Sequence, residues 1–144
     1  MKKIILFVAL GCMGVSQGFA RQQTEILQAY HKLEWETAFS TAFERAKKEH
    51  KDVMVMVEEP QCKWCVKMKN GALSNPDVQV KLQDYVLLKV QRSDKESIKQ
   101  IEGFTAAIPS FHFMTANKET IETIIGYFET EDFLSYLVEI ETDN

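Results

Sequence analysis

Two cysteines separated by two residues are the side chains in this sequence best suited to chemistry. Cys62 and Cys65 enclose Lys63 and Trp64, and together they open a segment that is predicted to be helical. At the start of a helix, free backbone N–H groups and the helix dipole stabilise a thiolate. The second thiol follows one helical turn later, where it can attack a mixed disulfide formed by the first. The spacing therefore predicts a redox dithiol, with Cys62 as the attacking thiol and Cys65 as the resolving thiol.

A buried strand is predicted to hold the cysteine pair in place. Five of the six residues in Asp52–Val57 are apolar, which is typical of a strand covered on both faces of a sheet. The polar segment Glu58–Gln61 follows and leads directly into the cysteines. The sequence thus predicts a strand, a short turn and a helix, with Cys62 at the beginning of the helix.

The remaining elements are predicted from their apolar spacing, caps and breakers. The order is β-α-β-α-α-β-α-β-β-α, in which the crossovers imply parallel strands and the last hairpin adds an antiparallel edge. The predicted strands are Leu33–Trp35, Val53–Val57, Val86–Val90, Ser110–Met114 and Thr120–Ile125. The predicted helices are Glu36–His50, the cysteine helix that ends at Asn70-Gly71, one that starts at Asn75-Pro76-Asp77, Ser93–Glu102, and Glu131–Ile140 with Phe133, Leu134, Leu137 and Val138 facing inward.

Composition and charge exclude several function classes. The chain has 144 residues, of which 45% are hydrophobic and 26% charged, as expected for one globular domain with its own core. Its net charge is −4 and it contains no basic run, which argues against nucleic-acid binding. There is no Gly-rich phosphate loop and no carboxylate pair spaced for hydrolysis. The predicted dithiol chemistry requires no metal, flavin or nucleotide, so we expect no cofactor.

The N-terminus has the pattern of a secretory signal peptide. Residues 1–20 combine two lysines, an apolar stretch and a small-residue site that ends at Ala20, so the mature chain is predicted to begin at Arg21. An N-terminal extension, 21–32, would precede a domain at 33–144. Lipoprotein processing at Cys12 is the less favoured alternative. Export predicts a periplasmic or secreted protein, in a compartment where disulfide chemistry is possible.

Three motifs together resemble the thioredoxin family. They are Cys62-Lys63-Trp64-Cys65 after a buried strand, Ile108-Pro109 before the last strand pair, and Gly126 before the final helix. The resemblance extends over Leu33–Ile140. The helix begun by Asn75-Pro76 is similar to a feature of the exported thioredoxin-like subgroup, as is Lys67-Met68 after the cysteines. That subgroup includes the reductase domain of the membrane thiol–disulfide interchange protein.

The resemblance implies a thioredoxin-like α/β fold, with a central mixed sheet flanked by helices and an extra helix after the cysteine helix. It also implies a cis bond between Ile108 and Pro109 beside the cysteines. A shallow groove for substrate peptides would lie there, and Trp64 is expected to be an exposed contact for them.

Four positions depart from the family pattern. Thioredoxins have a buried Asp six residues before the first cysteine, where this chain has Met56, and a Trp immediately before that cysteine, where it has Gln61. Lys63-Trp64 replaces the usual Gly-Pro. These changes bear on proton transfer and reduction potential rather than on the fold.

The neighbouring polar residues have two interpretations each. Glu58 could replace the missing buried acid as a proton acceptor, although a solvated loop carboxylate is the favoured interpretation. Lys63 could stabilise the Cys62 thiolate by its charge or be merely solvated. His112 alternates with Phe111 and Phe113 and is interpreted as a strand residue rather than a catalyst.

These observations predict an exported thiol–disulfide oxidoreductase that reduces or isomerises protein disulfides through Cys62 and Cys65. Its partners would be protein thiols or disulfides and a membrane electron donor, and we expect a monomer. A thiol-based copper-delivery or peptide-binding module is the alternative, with His112 as the candidate third copper ligand. Structural zinc is disfavoured because it takes four ligands, and His31, His50 and His112 are scattered along the chain.

Overall fold

A five-stranded mixed sheet lies at the centre of the computed structural model, which describes residues 33–142. The strands are β1 (Trp35–Glu36), β2 (Asp52–Glu58), β3 (Tyr85–Gln91), β4 (Ser110–Met114) and β5 (Thr120–Ile125), and they lie in the order β1-β3-β2-β4-β5. The helices are α1 (Phe39–Glu49), α2 (Lys63–Asn70), α3 (Pro76–Leu82), α4 (Lys95–Ile98) and α5 (Thr130–Thr142), with a 3₁₀ turn at Ala72–Ser74. β2 and β3 are parallel, and β4 runs antiparallel to both β2 and β5.

The central strand β2 is buried on both faces because its side chains alternate between two apolar clusters. Met54 and Met56 join the cluster formed with α2, α3 and α5. Val53, Val55 and Val57 join the cluster formed with α1. The helix α1 contributes a stripe of buried apolar residues at helical spacing. The stripe consists of Phe39, Ala42, Phe43 and Ala46. The apolar run that predicts this strand thus reflects helices packed on both sides of the sheet.

The predicted thioredoxin-like fold is confirmed, including the extra helix after the cysteine helix. That helix is α3, and Asn75 caps it: its side-chain oxygen accepts hydrogen bonds from the backbone N–H groups of Asp77, at 2.9 Å, and Val78, at 3.4 Å. Pro76 occupies the first turn, where no N–H donor is needed. The predictions for residues 1–20, 21–32 and Cys12 lie outside the described residues.

Two predicted helices differ from the structure by three or more residues at one end. α1 begins at Phe39 rather than Glu36, because Trp35 and Glu36 pair with Leu87 and Leu88 of β3. The helix predicted over Ser93–Glu102 is reduced to Lys95–Ile98. This helix contributes no buried residue. It is followed by turns closed by hydrogen bonds between residues three apart, from Gln100 to Ser97 and from Ile101 to Ile98, instead of a further α-helical turn.

The inward face of α5 also differs from the prediction. Phe133 and Leu137 are buried as expected, and Ile140 continues their row. Val138 points outward and is 46% exposed, so its assignment to the core is wrong. The i, i+4, i+7 spacing of the buried residues leaves room for only one of the adjacent pair Leu137 and Val138 to face the sheet.

Candidate active site

The cysteine pair lies where β2 ends and α2 begins. Cys62 is the N-cap residue of α2, and Cys65 is in its first turn. The two form a disulfide with their Cα atoms 5.2 Å apart. The Cys65 backbone N–H donates a hydrogen bond to Cys62 Sγ at 3.1 Å, so the sulfur takes the place of the oxygen of an ordinary N-cap side chain.

The two sulfur atoms differ in their access to solvent. Cys65 is fully buried in the cluster that contains Met56 and Met68, whereas Cys62 is only partly buried at its border. An incoming disulfide can therefore reach Cys62 more easily than Cys65. Such an arrangement favours attack by the first cysteine and resolution by the second.

Ile108 and Pro109 lie at the same end of the sheet as the cysteines. β2 and β4 pair with Val57 opposite Ser110, so the strand end that leads to Cys62 lies beside the strand start that follows Pro109. The Ile108–Pro109 bond is cis, as the resemblance implies. The Gly126 N–H donates a hydrogen bond to the Pro109 carbonyl oxygen at 2.8 Å, which joins the end of β5 to this segment.

An aromatic and cationic surface flanks the cysteines. Trp64 is 57% exposed, as predicted, and its ring centroid lies 5.5 Å from that of Tyr127. The Lys67 ammonium lies 4.1 Å from the Tyr127 centroid and 5.4 Å from that of Trp64, which is within the range of cation–π interaction. Tyr127 and Lys67 are not among the predicted site residues. In the sequence, Tyr127 could be found from its position directly after Gly126. Lys67 could be found from its spacing of three residues from Trp64, which places both on one side of the helix.

Glu58 is buried, so its interpretation as a solvated loop carboxylate is wrong. β2 extends by one residue to include it, and the side chain is 8% exposed. Lys69 Nζ lies 2.6 Å from Glu58 Oε2. The buried carboxylate oxygen therefore has an ionic partner on the cysteine helix. Lys69 follows Cys65 by four residues, which puts both on one side of α2.

Lys63 is exposed in the first turn of α2, and none of the ion pairs found among the described residues involves it. Its position beside Cys62 fits either interpretation, a charge that acts on the thiolate or a solvated side chain.

His112 lies on the face of the sheet opposite the cysteine pair. It pairs with Val55, which belongs to the α1 cluster, whereas Cys65 belongs to the other cluster. Its ring nitrogens contact the hydroxyl oxygens of Ser110 at 3.0 Å and Thr123 at 3.1 Å. Burial lowers the pKa of His112 to about 4. In residues 33–142 no group of three or more His, Cys, Asp or Glu side chains is placed to hold a metal ion.

The fold and the site define a thioredoxin-like protein with a disulfide-capable Cys-x-x-Cys pair. The chain belongs to the Thioredox_DsbH family, described as a protein of unknown function, DUF255, which matches residues 19–129. It is also 27% identical over 74 residues to human spermatogenesis-associated protein 20. That match covers 51% of the chain and 9% of the human protein, so the chain spans less than a tenth of this relative's length.

Solved structures with the same fold include three thiol-redox proteins. A thioredoxin from Thermus thermophilus superposes with a TM-score of 0.65 at 22% identity, over 75% of this chain and 86% of that one. A DsbH oxidoreductase gives 0.62 at 18% identity, over 76% and 84%. The reduced C-terminal domain of DsbD from Neisseria meningitidis gives 0.61 at 17% identity, over 74% and 98%. At these identities the likeness establishes the fold.

Proposed function

We propose that this chain is an exported thiol–disulfide oxidoreductase that reduces or isomerises protein disulfides. The observation that carries this proposal is the asymmetry of the pair. Cys62 is accessible and accepts a backbone hydrogen bond at a helix start, while Cys65 is fully buried behind it. Membership of a family with a thioredoxin-like fold supports the same chemistry.

The reaction transfers two electrons from the dithiol to the substrate. The Cys62 thiolate attacks one sulfur of a substrate disulfide, forms a Cys62–substrate disulfide, and releases the other substrate sulfur as a thiolate. Cys65 then loses its proton and attacks Cys62 Sγ, which forms the Cys62–Cys65 disulfide and releases the second substrate thiolate. The chain ends oxidised and the substrate ends reduced.

The substrate would contact Ile108, Pro109 and Trp64 around Cys62. The Ile108 backbone is suited to strand-like pairing with an extended peptide, since Ile108-Pro109 leads directly into the start of β4 beside the cysteines. Trp64 offers exposed apolar area on the cysteine helix, and Tyr127 enlarges it. Lys63 and Glu58 are proposed as modulators, the first through its charge near Cys62 and the second as an acceptor for the Cys65 proton.

The proposed location and partners follow from the N-terminal sequence and the reaction. A signal peptide at residues 1–20 would send the chain to the periplasm or outside the cell, and a monomer would act there on protein thiols and disulfides. A membrane electron donor is required because a reductant in an oxidising compartment must be recharged. None of the helices within residues 33–142 has both the length and the apolar character needed to cross a bilayer.

The copper-delivery alternative receives no support from the described residues. Its candidate third ligand, His112, contacts Ser110 and Thr123 on the far face of the sheet. A copper ion held by Cys62 and Cys65 would therefore need another ligand.

Trapping of reaction intermediates tests the proposal. Cys65→Ser is expected to accumulate mixed disulfides with substrate proteins on non-reducing gels, because Cys62 attacks and no thiol resolves the adduct. Cys62→Ser, the matched control, is expected to accumulate none, and both variants should lose insulin reduction. Adducts on Cys62→Ser instead would reverse the roles of the two thiols. Stoichiometric copper retention by the wild-type chain, without insulin reduction, would favour the alternative.

A further inference from the structure

The outer edge of the sheet beside α5 forms a groove that the proposed redox reaction does not use. β5 is the last strand of the sheet and pairs only with β4 among the described residues. The other edge strand, β1, has two residues, whereas β5 has six and is about 20 Å long. Between β5 and α5 lies a cavity of about 760 Å³. This volume falls within the range of ligand-binding clefts.

The groove combines apolar surface with carboxylates. Ile125 is 44% exposed and Tyr136 is 37% exposed, and both line it. Glu119, Glu122 and Glu139 line it as well, and no Lys, Arg or His does. None of the three carboxylates belongs to an ion pair found among residues 33–142. The groove therefore presents uncompensated negative charge beside open strand backbone.

The groove is also continuous with the cysteine end of the sheet. β5 runs toward this end and stops at Ile125, which pairs with Ser110 directly after Pro109. The next residue, Gly126, donates its N–H to the Pro109 carbonyl oxygen. A chain segment that lies along β5 therefore has one end close to the segment that precedes β4.

We propose that this groove binds an extended, basic polypeptide segment of a redox partner, which adds to β5 as a sixth strand. Main-chain hydrogen bonds to the open edge would supply the pairing, and side chains directed toward α5 would give specificity. Lys or Arg directed toward α5 would meet Glu122 and Glu139, and apolar residues on that side would cover Tyr136. Ile125 lies on the opposite face of β5, where the alternate side chains of the added strand would cover it. The proposal rests on the proposed function only in naming the segment as part of a redox partner.

Charged residues on an edge strand also have a purely protective explanation. Natural sheets place charges on open edges to prevent association with other strands. If the charges are only protective, no peptide binds to this edge, whatever its charge. Binding that depends on the charge of the peptide would therefore distinguish the proposed binding groove from a protected edge.

The test is a titration of the full chain with two synthetic peptides, followed by amide chemical shifts in NMR spectra. One ten-residue peptide alternates Lys with Val and Thr and contains no cysteine, and the other has Glu in place of every Lys. The Lys peptide is expected to shift the amides of Thr120–Ile125 and of the facing part of α5, with affinity that falls as salt is added. The Glu peptide is expected to bind at least tenfold more weakly.

Two matched double variants identify the groove. Glu122→Lys with Glu139→Lys is expected to weaken binding of the Lys peptide at least tenfold. Glu44→Lys with Glu102→Lys makes the same charge change at exposed positions outside the groove and is expected to leave binding unchanged. Glu139→Lys alone changes only the helix side, so it gives a result even if charge on β5 impairs folding.

Redox activity is separated from binding by the double variant Cys62→Ser with Cys65→Ser, which is expected to bind the Lys peptide as the wild type does. If this variant binds but the wild type reduces no disulfide, only the proposed function fails. The groove proposal is overturned if both peptides bind alike, if the shifts lie outside β5 and α5, or if both double variants bind alike. It is also overturned if the β5 shifts depend on protein concentration alone, since a second copy would then occupy the edge.

Discussion

At the scale of single residues, Glu58 is the buried acid on the strand that leads to the cysteine pair. The position that is acidic in thioredoxins is Met56 here and is fully buried. Glu58 lies two residues further along β2, on the same face of the strand, and contacts Lys69 of the cysteine helix. This contact joins the buried Glu58 side chain to α2, and 39% of the Lys69 side chain is exposed to solvent.

Glu58→Gln is expected to slow the release of reduced substrate, because the substitution removes the acceptor that we propose for the Cys65 proton. Acid–base groups of this kind typically contribute about 10²–10⁴-fold, so we expect at least a tenfold slower resolving step at neutral pH. Stopped-flow decay of a Cys62 mixed disulfide measures it. Stability should change by about 1 kcal/mol or less, since Lys69 can remain solvated.

The matched control is Glu59→Gln, one residue further along the chain. Glu59 Oε1 accepts a hydrogen bond from the Ser93 backbone N–H at 2.6 Å, and glutamine can keep that bond. The control is expected to resolve mixed disulfides at the wild-type rate. A resolving step in Glu58→Gln that is as fast as in the wild type would show that Glu58 does not accept the Cys65 proton.

His112 is expected to make the fold less stable in mild acid. Burial lowers its folded-state pKa to about 4, below the ordinary value of 6.5, so the unfolded chain binds the proton first as pH falls. The stability from this group is fully present above pH 6.5 and is lost progressively down to about pH 4. The loss should amount to about 2–3 kcal/mol.

Denaturant unfolding at several pH values measures this effect in the wild type and in His112→Gln. Carboxylates also titrate in this range, so the informative quantity is the difference between the two chains. The pH dependence of the unfolding free energy between pH 6.5 and 4 should be smaller in His112→Gln. Equal pH dependence in both chains would show that folding does not lower the pKa of His112.

At the scale of elements, the short helix α3 depends on its cap. It has seven residues, too few to be stable alone, and Asn75 satisfies two of its free N–H groups. Asn75→Ala is expected to cost about 1 kcal/mol of unfolding free energy and to lower Tm by about 3–5 °C. Asn70→Ala, at an exposed position without a side-chain hydrogen bond among the described residues, should change it by less than about 0.5 kcal/mol. Equal losses in calorimetry would mean that the Asn75 cap adds nothing.

Elements with strong local signals could be predicted from the sequence, and weakly marked ones could not. The apolar run of β2 and the Asn75-Pro76 start of α3 each carry their own signal, and both are confirmed. Trp35–Glu36 forms a strand only because β3 lies beside it, a pairing that local sequence does not encode. The end of α4 could not be predicted either. Asp94 caps the start of this helix, but no buried apolar face stabilises further helical turns beyond Ile98.

The candidate site likewise contains features that the sequence predicts and features that it does not. The spacing of Cys62 and Cys65 alone predicts a redox dithiol. The exposure of Trp64 follows from its position between them at the start of the helix. The burial of Glu58 depends on Lys69, and the position of Tyr127 beside Trp64 depends on how the segment after β5 lies against α2. Such contacts join residues distant in sequence, so a single sequence without tertiary information does not reveal them.

At the scale of the whole molecule, the sheet separates the redox pair from the buried histidine, His112. The cysteines border one apolar cluster and His112 faces the other, with β2 and β4 between them. Lys63, Trp64 and Lys67 on the cysteine helix are all exposed, so none of them adds a buried positive charge. The thiolate therefore relies on the start of α2 and on a screened surface cation.

This arrangement predicts the direction of electron flow. Strong oxidants hold the thiolate of the reduced form firmly, whereas here stabilisation by Lys63 should be modest because surface charge is screened. We therefore expect the Cys62–Cys65 pair to be more reducing than the strong periplasmic oxidants, whose potential is about −120 mV. Equilibration with glutathione measures it, and about 30 mV corresponds to 1.4 kcal/mol for two electrons. Lys63→Gln should shift the potential by less than about 30 mV, and Lys47→Gln, on α1, should not shift it. A wild-type value near −120 mV would instead make the protein a disulfide donor.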